Sequence, residues 1–222
     1  MEHDDIFTRT LEIESCGKTL TLYQKNVGDV NCVVWDAALV LAKYLDISCQ
    51  KEKNWLQGKK ILELGAGVGC VGMTVACLGA QVMVTDLEST MPMLEKNIMM
   101  NKSQWKDTNG SVNAQIMKWE DESIFDSLKK FSPEIIILSD CIYYMESIDP
   151  LIMTLKRICD NESAAYVLLS QELRDTPRQI SIWQYFLDNV KNYFHLNVIS
   201  QSEQHPIYSS IDINLIKMTR RQ

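Results

Sequence analysis

Histidine is almost absent from this 222-residue chain, occurring only at His3, His195 and His205. A zinc site or a Ser-His-Asp hydrolase has little to build from, and no metal is expected. The seven cysteines, at 16, 32, 49, 70, 77, 141 and 159, are odd in number, lack C-x-x-C spacing and stand near no histidine pair. They read as reduced core residues, with no disulfide framework. No apolar run approaches the roughly 18 residues of a membrane span, and the start, Met1-Glu2-His3-Asp4-Asp5, is acidic where a signal peptide is basic and then apolar. Neither element is expected, which points to the cytoplasm or nucleus and away from a membrane partner. Basic residues are in deficit, 22 Lys and Arg against 29 Asp and Glu for a formal charge of -7, so a broad nucleic-acid footprint is disfavoured and approach to a basic protein surface is favoured. Low-complexity linkers and fixed-period repeats are missing too. With 46% hydrophobic residues, the chain suffices for one sizeable core. The expectation is a monomer with one domain over residues 1–222, of which residues 1–30 form an N-terminal hairpin addition.

The most informative stretch is Ile61-Leu62-Glu63-Leu64-Gly65-Ala66-Gly67-Val68-Gly69-Cys70-Val71-Gly72, with four glycines in eight positions. It reads as strand, tight turn and helix, the helix running through Met73-Thr74-Val75-Ala76-Cys77-Leu78 until Gly79 ends it. Glycine is needed where a backbone turns sharply and approaches a ligand with no Cβ in the way. The dinucleotide pattern G-x-G-x-x-G/A asks for a small residue where this chain has Cys70; the spacing here is G-x-G-x-G. Glu63 stands just before the glycines, where an anionic pyrophosphate meets repulsion and a cationic sulfonium or an amino-acid moiety does not. This favours S-adenosylmethionine over NAD and makes Glu63 a candidate cofactor-side residue. The alternative is an ordinary strand-to-helix turn with no ligand.

Phe7 to Glu14 and Lys18 to Gln24 alternate apolar with polar residues around Cys16-Gly17, the pattern of a hairpin added to the main sheet. From Val33 to Leu45 the spacing of Val34, Ala37, Ala38, Leu41, Ala42 and Leu45 fits one face of a helix, with Trp35 and Asp36 in its first turn. Gln81 to Thr85 reads as a second buried strand ending at Asp86, followed by a helix carrying Leu94, Ile98 and Asn101. Ser111 to Lys118 forms a third strand, ending at Trp119, and Glu134 to Leu138 a fourth with the unbroken apolar core of a parallel strand buried on both faces. Helices at 147–158 and 178–190 alternate with strands at 164–170 and 194–200, and Ser210 to Thr219 supplies a last strand. The alternation predicts an α/β fold, a doubly wound, mostly parallel seven-stranded sheet.

In such a sheet the ligand crevice lies at the carboxyl ends of the strands where the winding reverses, here between the first and fourth strands. The fourth ends in Ser139-Asp140-Cys141-Ile142-Tyr143-Tyr144, an acid and two aromatics at the mouth. Asp140 is the best candidate for catalysis, its bland alternative, like that of Tyr143, being a loop or helix-capping residue. Asp86, 21 residues after Gly65, stands where a carboxylate meets a ribose diol, or else caps the next helix. Trp119 offers a flat face for an adenine. Trp35 closes the pocket from above or packs as core.

Val33-Val34-Trp35-Asp36-Ala37-Ala38, Glu63-Leu64-Gly65-Ala66-Gly67 and Asp140-Cys141-Ile142-Tyr143-Tyr144 occur in this order with this spacing. In these motifs the chain resembles the seven-strand S-adenosylmethionine-dependent protein-lysine methyltransferases. With Gly28-Asp29-Val30-Asn31-Cys32 ahead of them, it is most similar to those that act on valosin-containing protein, an AAA-type ATPase. The resemblance implies that Gly65, Ala66 and Gly67 cradle the amino-acid end of S-adenosylmethionine, that Asp86 holds its ribose and that Trp119 lies by the adenine. Trp35, Ser139 and Tyr143 complete that pocket. It further implies Asp140-x-x-Tyr143 as the catalytic, lysine-facing motif, with Tyr144, Glu172 and Arg174 on the recipient's side and S-adenosylhomocysteine as product. Two departures are visible: Ser139 where close relatives carry Ala, and Leu173 where they carry Gln. A carboxylate is too weak a base to strip an ammonium, so Asp140 is expected to orient the lysine and stabilise its charge. A lysine of valosin-containing protein, trimethylated, is the implied target. The alternatives are a lysine of another chaperone or of an elongation factor, an arginine, or a scaffold that binds cofactor without catalysis.

Overall fold

The computed structural model describes residues 6–25, 32–119, 121–161 and 166–221. Strands β1 (Ile6–Ile13) and β2 (Lys18–Lys25) form an antiparallel hairpin. Helix α1 (Asp36–Lys51) leads into β3 (Lys60–Leu64), α2 (Cys70–Cys77), β4 (Gln81–Asp86), α3 (Met91–Asn101) and β5 (Ser111–Ile116). The second half runs through α4 (Phe125–Phe131), β6 (Ile135–Ser139), α5 (Ile148–Asn161), β7 (Tyr166–Glu172), α6 (Pro177–Val190), β8 (Phe194–Val198) and β9 (Ile213–Arg220). The seven-stranded sheet has the order β5-β4-β3-β6-β7-β9-β8, parallel from β5 to β7, with β9 antiparallel to both neighbours.

The sheet is packed on both faces because its central strands point apolar side chains to either side, Glu63 of β3 being the buried exception. Ile61, Ile135 and Ile137 join α1, α2 and α3 in one core; Leu62, Leu64, Ile136 and Leu138 join α4, α5 and α6 in the other. Each of these is at most 2% exposed, and full burial of such a side chain stabilises the fold by about 1.5–3 kcal/mol. The reversal of strand order falls between β3 and β6, where the sequence pattern put it.

Three expectations need correction. The hairpin is a sheet of its own and does not extend the main one. The free edge of β2 is instead satisfied by two buried side chains of α3, one turn apart. Asn97 accepts from Tyr23 N–H at 2.7 Å and donates to Tyr23 C=O at 2.9 Å, and Asn101 does the same for Thr21 at 2.8 and 2.9 Å. These amides mimic a partner strand, pairing both backbone groups of Thr21 and of Tyr23. Helix α1 starts at Asp36, leaving Trp35 as its N-cap, because extended backbone at Trp35 (φ -85°, ψ 153°) carries the chain in. Helix α4 was not anticipated; at seven residues it is too short to display a helical period. The stretch Gly28 to Asn31, used in the resemblance, and residues 1–5 and 26–30 of the expected hairpin addition lie outside the described residues.

Candidate active site

The parallel strands β3, β4, β5, β6 and β7 all end on one edge, and their following turns surround a cavity of about 620 Å³. That is within the range of about 300–1,000 Å³ typical of small-molecule sites. Gly65 and Gly67 turn with φ of +64° and +55°. A Cβ on Gly65 would meet Cys141 Sγ at 2.6 Å, so the space beside this glycine is already filled by the Cys141 side chain after the β6 tip.

Asp86 holds this loop. Its Oδ2 accepts from Gly67 N–H at 2.7 Å, while Oδ1 accepts from Leu87 N–H at 2.7 Å and Thr90 Oγ1 at 2.9 Å. Burial pushes its carboxyl upward, and these three hydrogen bonds hold the shift back. A carboxylate offers about four lone-pair positions, so three donors leave about one acceptor position on this cavity-lining residue. Trp119 stands beside the same loop, its ring 3.7 Å from the Gly65 Cβ position, with Thr154 Oγ1 hydrogen-bonded to its carbonyl. Leu87 and Met117 add apolar wall between them. Trp35 and Val34 border the mouth, and Gln24 of the hairpin fixes Val34 by accepting its N–H at 2.7 Å.

At the β6 tip, Asp140 has φ +54°, a left-handed conformation uncommon for a residue with a Cβ and characteristic of constrained sites. Its N–H bonds Ser170 C=O at 2.8 Å, and its Oδ1 accepts from Gln171 Nε2 at 2.8 Å. Gln171 also accepts Ile142 N–H at 3.0 Å, clamping the turn on both sides. Arg174 then grips the carboxylate with two nitrogens, Nη1 to Oδ1 at 3.1 Å and Nη2 to Oδ2 at 2.5 Å. The rings of Tyr143 and Tyr144 lie 4.5 Å apart beside it, and burial pushes the Tyr143 phenol upward, so it stays protonated.

The cavity gathers Trp35, Gly65, Ala66, Gly67, Asp86, Trp119, Ser139, Asp140, Tyr143, Tyr144 and Arg174 from the sequence-derived candidates. Glu63 is a correction: it does not face the cavity but lies buried beneath α2, its Oε2 accepting Gly72 N–H at 2.9 Å. Burial raises its pKa to about 8, so at neutral pH it is mostly protonated and offers no charge to a sulfonium. Glu172 lines a second, smaller cavity of about 240 Å³ on the far side of Arg174. Asp140 also differs from expectation, since its carboxylate is already paired with Arg174. Sequence reasoning passed over Gln171, whose signal was the polar run Ser170-Gln171-Glu172 closing the apolar strand β7, and Gln179, which lines the cavity and bonds Tyr143 C=O at 3.2 Å.

A seven-stranded sheet of this order, with a glycine loop and an acid at the next strand tip, defines the class I S-adenosylmethionine-dependent methyltransferases. Solved structures of that fold superpose on nearly the whole chain. A 16S rRNA methyltransferase of T. thermophilus in complex with AdoMet and guanosine gives a TM-score of 0.61 at 13% identity, covering 97% of this chain and 51% of that one. A SAM-dependent methyltransferase from Agrobacterium tumefaciens gives 0.58 at 12% identity, covering 97% and 70%. The family follows from sequence: residues 14–192 match the family model described as lysine methyltransferase, and the chain belongs to that family. Among its relatives, EEF1A lysine methyltransferase 3 of Xenopus tropicalis is 29% identical over 222 residues, 98% of this chain and 88% of the relative. The protein N-lysine methyltransferase METTL21A of Xenopus tropicalis is 38% identical over 146 residues, 65% of this chain and 62% of the relative, less than two thirds of its length. The activity class is thus S-adenosylmethionine-dependent methylation of protein lysine.

Proposed function

We propose that the 620 Å³ cavity holds S-adenosylmethionine and that Asp140, at its mouth, meets a lysine of valosin-containing protein. The observation that carries the cavity's part is the convergence of the Gly65 to Gly67 loop, Asp86 and Trp119 on one wall with Asp140 and Tyr143 on the other. The free acceptor position of Asp86 suits a ribose hydroxyl, the Trp119 face suits adenine, and the close approach at Gly65 suits a backbone-lined amino-acid end. S-adenosylmethionine supplies the methyl group and departs as S-adenosylhomocysteine. The chain's own residues must then hold an amine in line, with reacting atoms about 3–3.5 Å apart. They must also favour its neutral form, which with a lysine pKa of about 10.4 costs about 4–5 kcal/mol at pH 7. Asp140 orients the arriving ammonium by charge, Tyr143 and Trp35 flank its aliphatic stem, and water accepts the proton. Glu172 and Arg174 lie on the recipient's side. The protein acts in the cytoplasm, as a single-domain monomer, on a protein and without nucleic acid.

The motif resemblance supports valosin-containing protein as recipient. A second reading has its own support, since a relative aligned over 98% of this chain is named for EEF1A. Purified valosin-containing protein and EEF1A, each incubated with this chain and S-adenosylmethionine, are compared by peptide mass spectrometry. Trimethylation of one lysine in the ATPase supports the first reading. Mass gain on EEF1A alone replaces it with the second.

A further inference from the structure

Arg174 presents a problem to the reading of Asp140 as the lysine-facing carboxylate. The carboxylate is buried, its side chain only 4% exposed, and both oxygens are held by the guanidinium. Removing the cation from such a pair leaves an uncompensated buried charge, which is strongly unfavourable, so whatever displaces Arg174 must itself be a cation. The anion is the fixed member of the pair: Gln171 pins the carboxylate, the Ser170 carbonyl accepts the Asp140 backbone N–H, and that backbone is held in the left-handed region. The cation is the movable one. Arg174 sits on the short connection between β7 and α6, 27% exposed at the mouth. Its Nη2 is already 3.3 Å from Glu172 Oε2, a second carboxylate that is 35% exposed, and its Cζ stands 5.4 Å from the Trp35 ring. A displaced guanidinium therefore has another anion and an aromatic face within a small rotation.

We propose that Arg174 occupies, in the resting enzyme, the place of the recipient's ammonium against Asp140, and that the lysine takes this place by passing Arg174 to Glu172. This rests on the proposed function above. A guanidinium never loses its proton and so never becomes a nucleophile, whereas the lysine that replaces it does. Because Arg174 is tethered, its effective concentration at Asp140 is about millimolar or higher, and free amines at lower concentration lose the competition. Only a recipient that docks by other contacts prevails. Arg174 is thus a positioning and specificity residue that excludes free lysine and small amines.

The test uses n-butylammonium chloride, the side-chain portion of lysine, on the parent and on Arg174→Ala, with Arg174→Met as the larger uncharged variant should Ala fold poorly. Without cofactor, amine at several times its dissociation constant raises the melting temperature of the variant by about 2–4 °C relative to sodium chloride of equal ionic strength, and leaves the parent unmoved. The added substitution Asp140→Asn abolishes the shift. With S-adenosylmethionine, the variant methylates n-butylamine at least tenfold faster than the parent. The amine lone pair forms the N–C bond, the C–S bond breaks with its electrons left on sulfur, and the extra proton passes to water. A folded variant that binds S-adenosylmethionine yet gains neither the shift nor the transfer overturns the proposal while leaving the methyltransferase reading intact. Failure of the parent itself to bind S-adenosylmethionine overturns both.

Discussion

Glu63→Gln is the most exacting perturbation of the glycine loop's support, because it keeps the shape of the side chain and removes only its ability to ionise. Glu63 is 1% exposed, and a Cβ on Gly72 would lie 2.4 Å from its Oε2, so no water or counter-ion fits at that side. Its pKa, raised from 4.5 to about 8 by burial and partly offset by the Gly72 N–H, lies above the unfolded value. Between those limits the folded state keeps a proton that the unfolded state has released. The site's contribution to stability is therefore complete below about pH 4.5 and declines by about 1.4 kcal/mol per pH unit as pH rises, levelling off above about pH 8. From pH 5 to pH 8 the parent should lose roughly 3–4 kcal/mol relative to Glu63→Gln, whose carboxamide cannot ionise. Urea unfolding of both proteins at half-unit intervals across that range reads the difference directly. A constant difference would mean that Glu63 is ionised in the folded state, which would refute the account of a neutral carboxyl beneath α2.

Asp86→Ala should weaken S-adenosylmethionine binding by about 1.5–3 kcal/mol in calorimetry, and it should also lower the melting temperature without ligand, since Gly67, Leu87 and Thr90 lose their acceptor. An unchanged affinity in the folded variant would make Asp86 purely a loop fastener. Asn97→Ala should cost about 2 kcal/mol in denaturant unfolding by stripping the β2 edge of both partners at Tyr23, and a loss below about 0.5 kcal/mol would contradict the strand-mimic account. Asp140→Asn should reduce single-turnover methyl transfer at least tenfold, about 1.4 kcal/mol, with cofactor affinity nearly kept; equal losses in both would make it a cofactor ligand. Transfer by the parent should rise from pH 7 to 9 as more amine is neutral, and a flat profile under single-turnover conditions would place a step other than attack in control.

The central strands were readable because burial on both faces leaves an unbroken apolar run, as in Ile135 to Leu138. The place of β9 between β7 and β8 was not, since pairing order between distant strands leaves no local pattern. The docking of the hairpin on Asn97 and Asn101 is hidden for the same reason, the partners being 74 and 80 residues apart. Glu63 was misread although a signal existed: in a strand alternating between two cores, it points the same way as Ile61, into the layer of α2. The Asp140 and Arg174 pair spans 34 residues and joins two separate strand tips, so neither motif could announce the other.

The central claim is that this chain moves a methyl group from S-adenosylmethionine to a protein lysine. It is tested most directly by incubating the chain with methyl-labelled S-adenosylmethionine and a cell extract, hydrolysing the labelled protein, and separating its amino acids. The account predicts label in N-ε-methylated lysine, absent with heat-inactivated protein and at least tenfold lower with Asp140→Asn. Label in nucleic acid, in a small molecule or in methylarginine, with none in lysine, would contradict it.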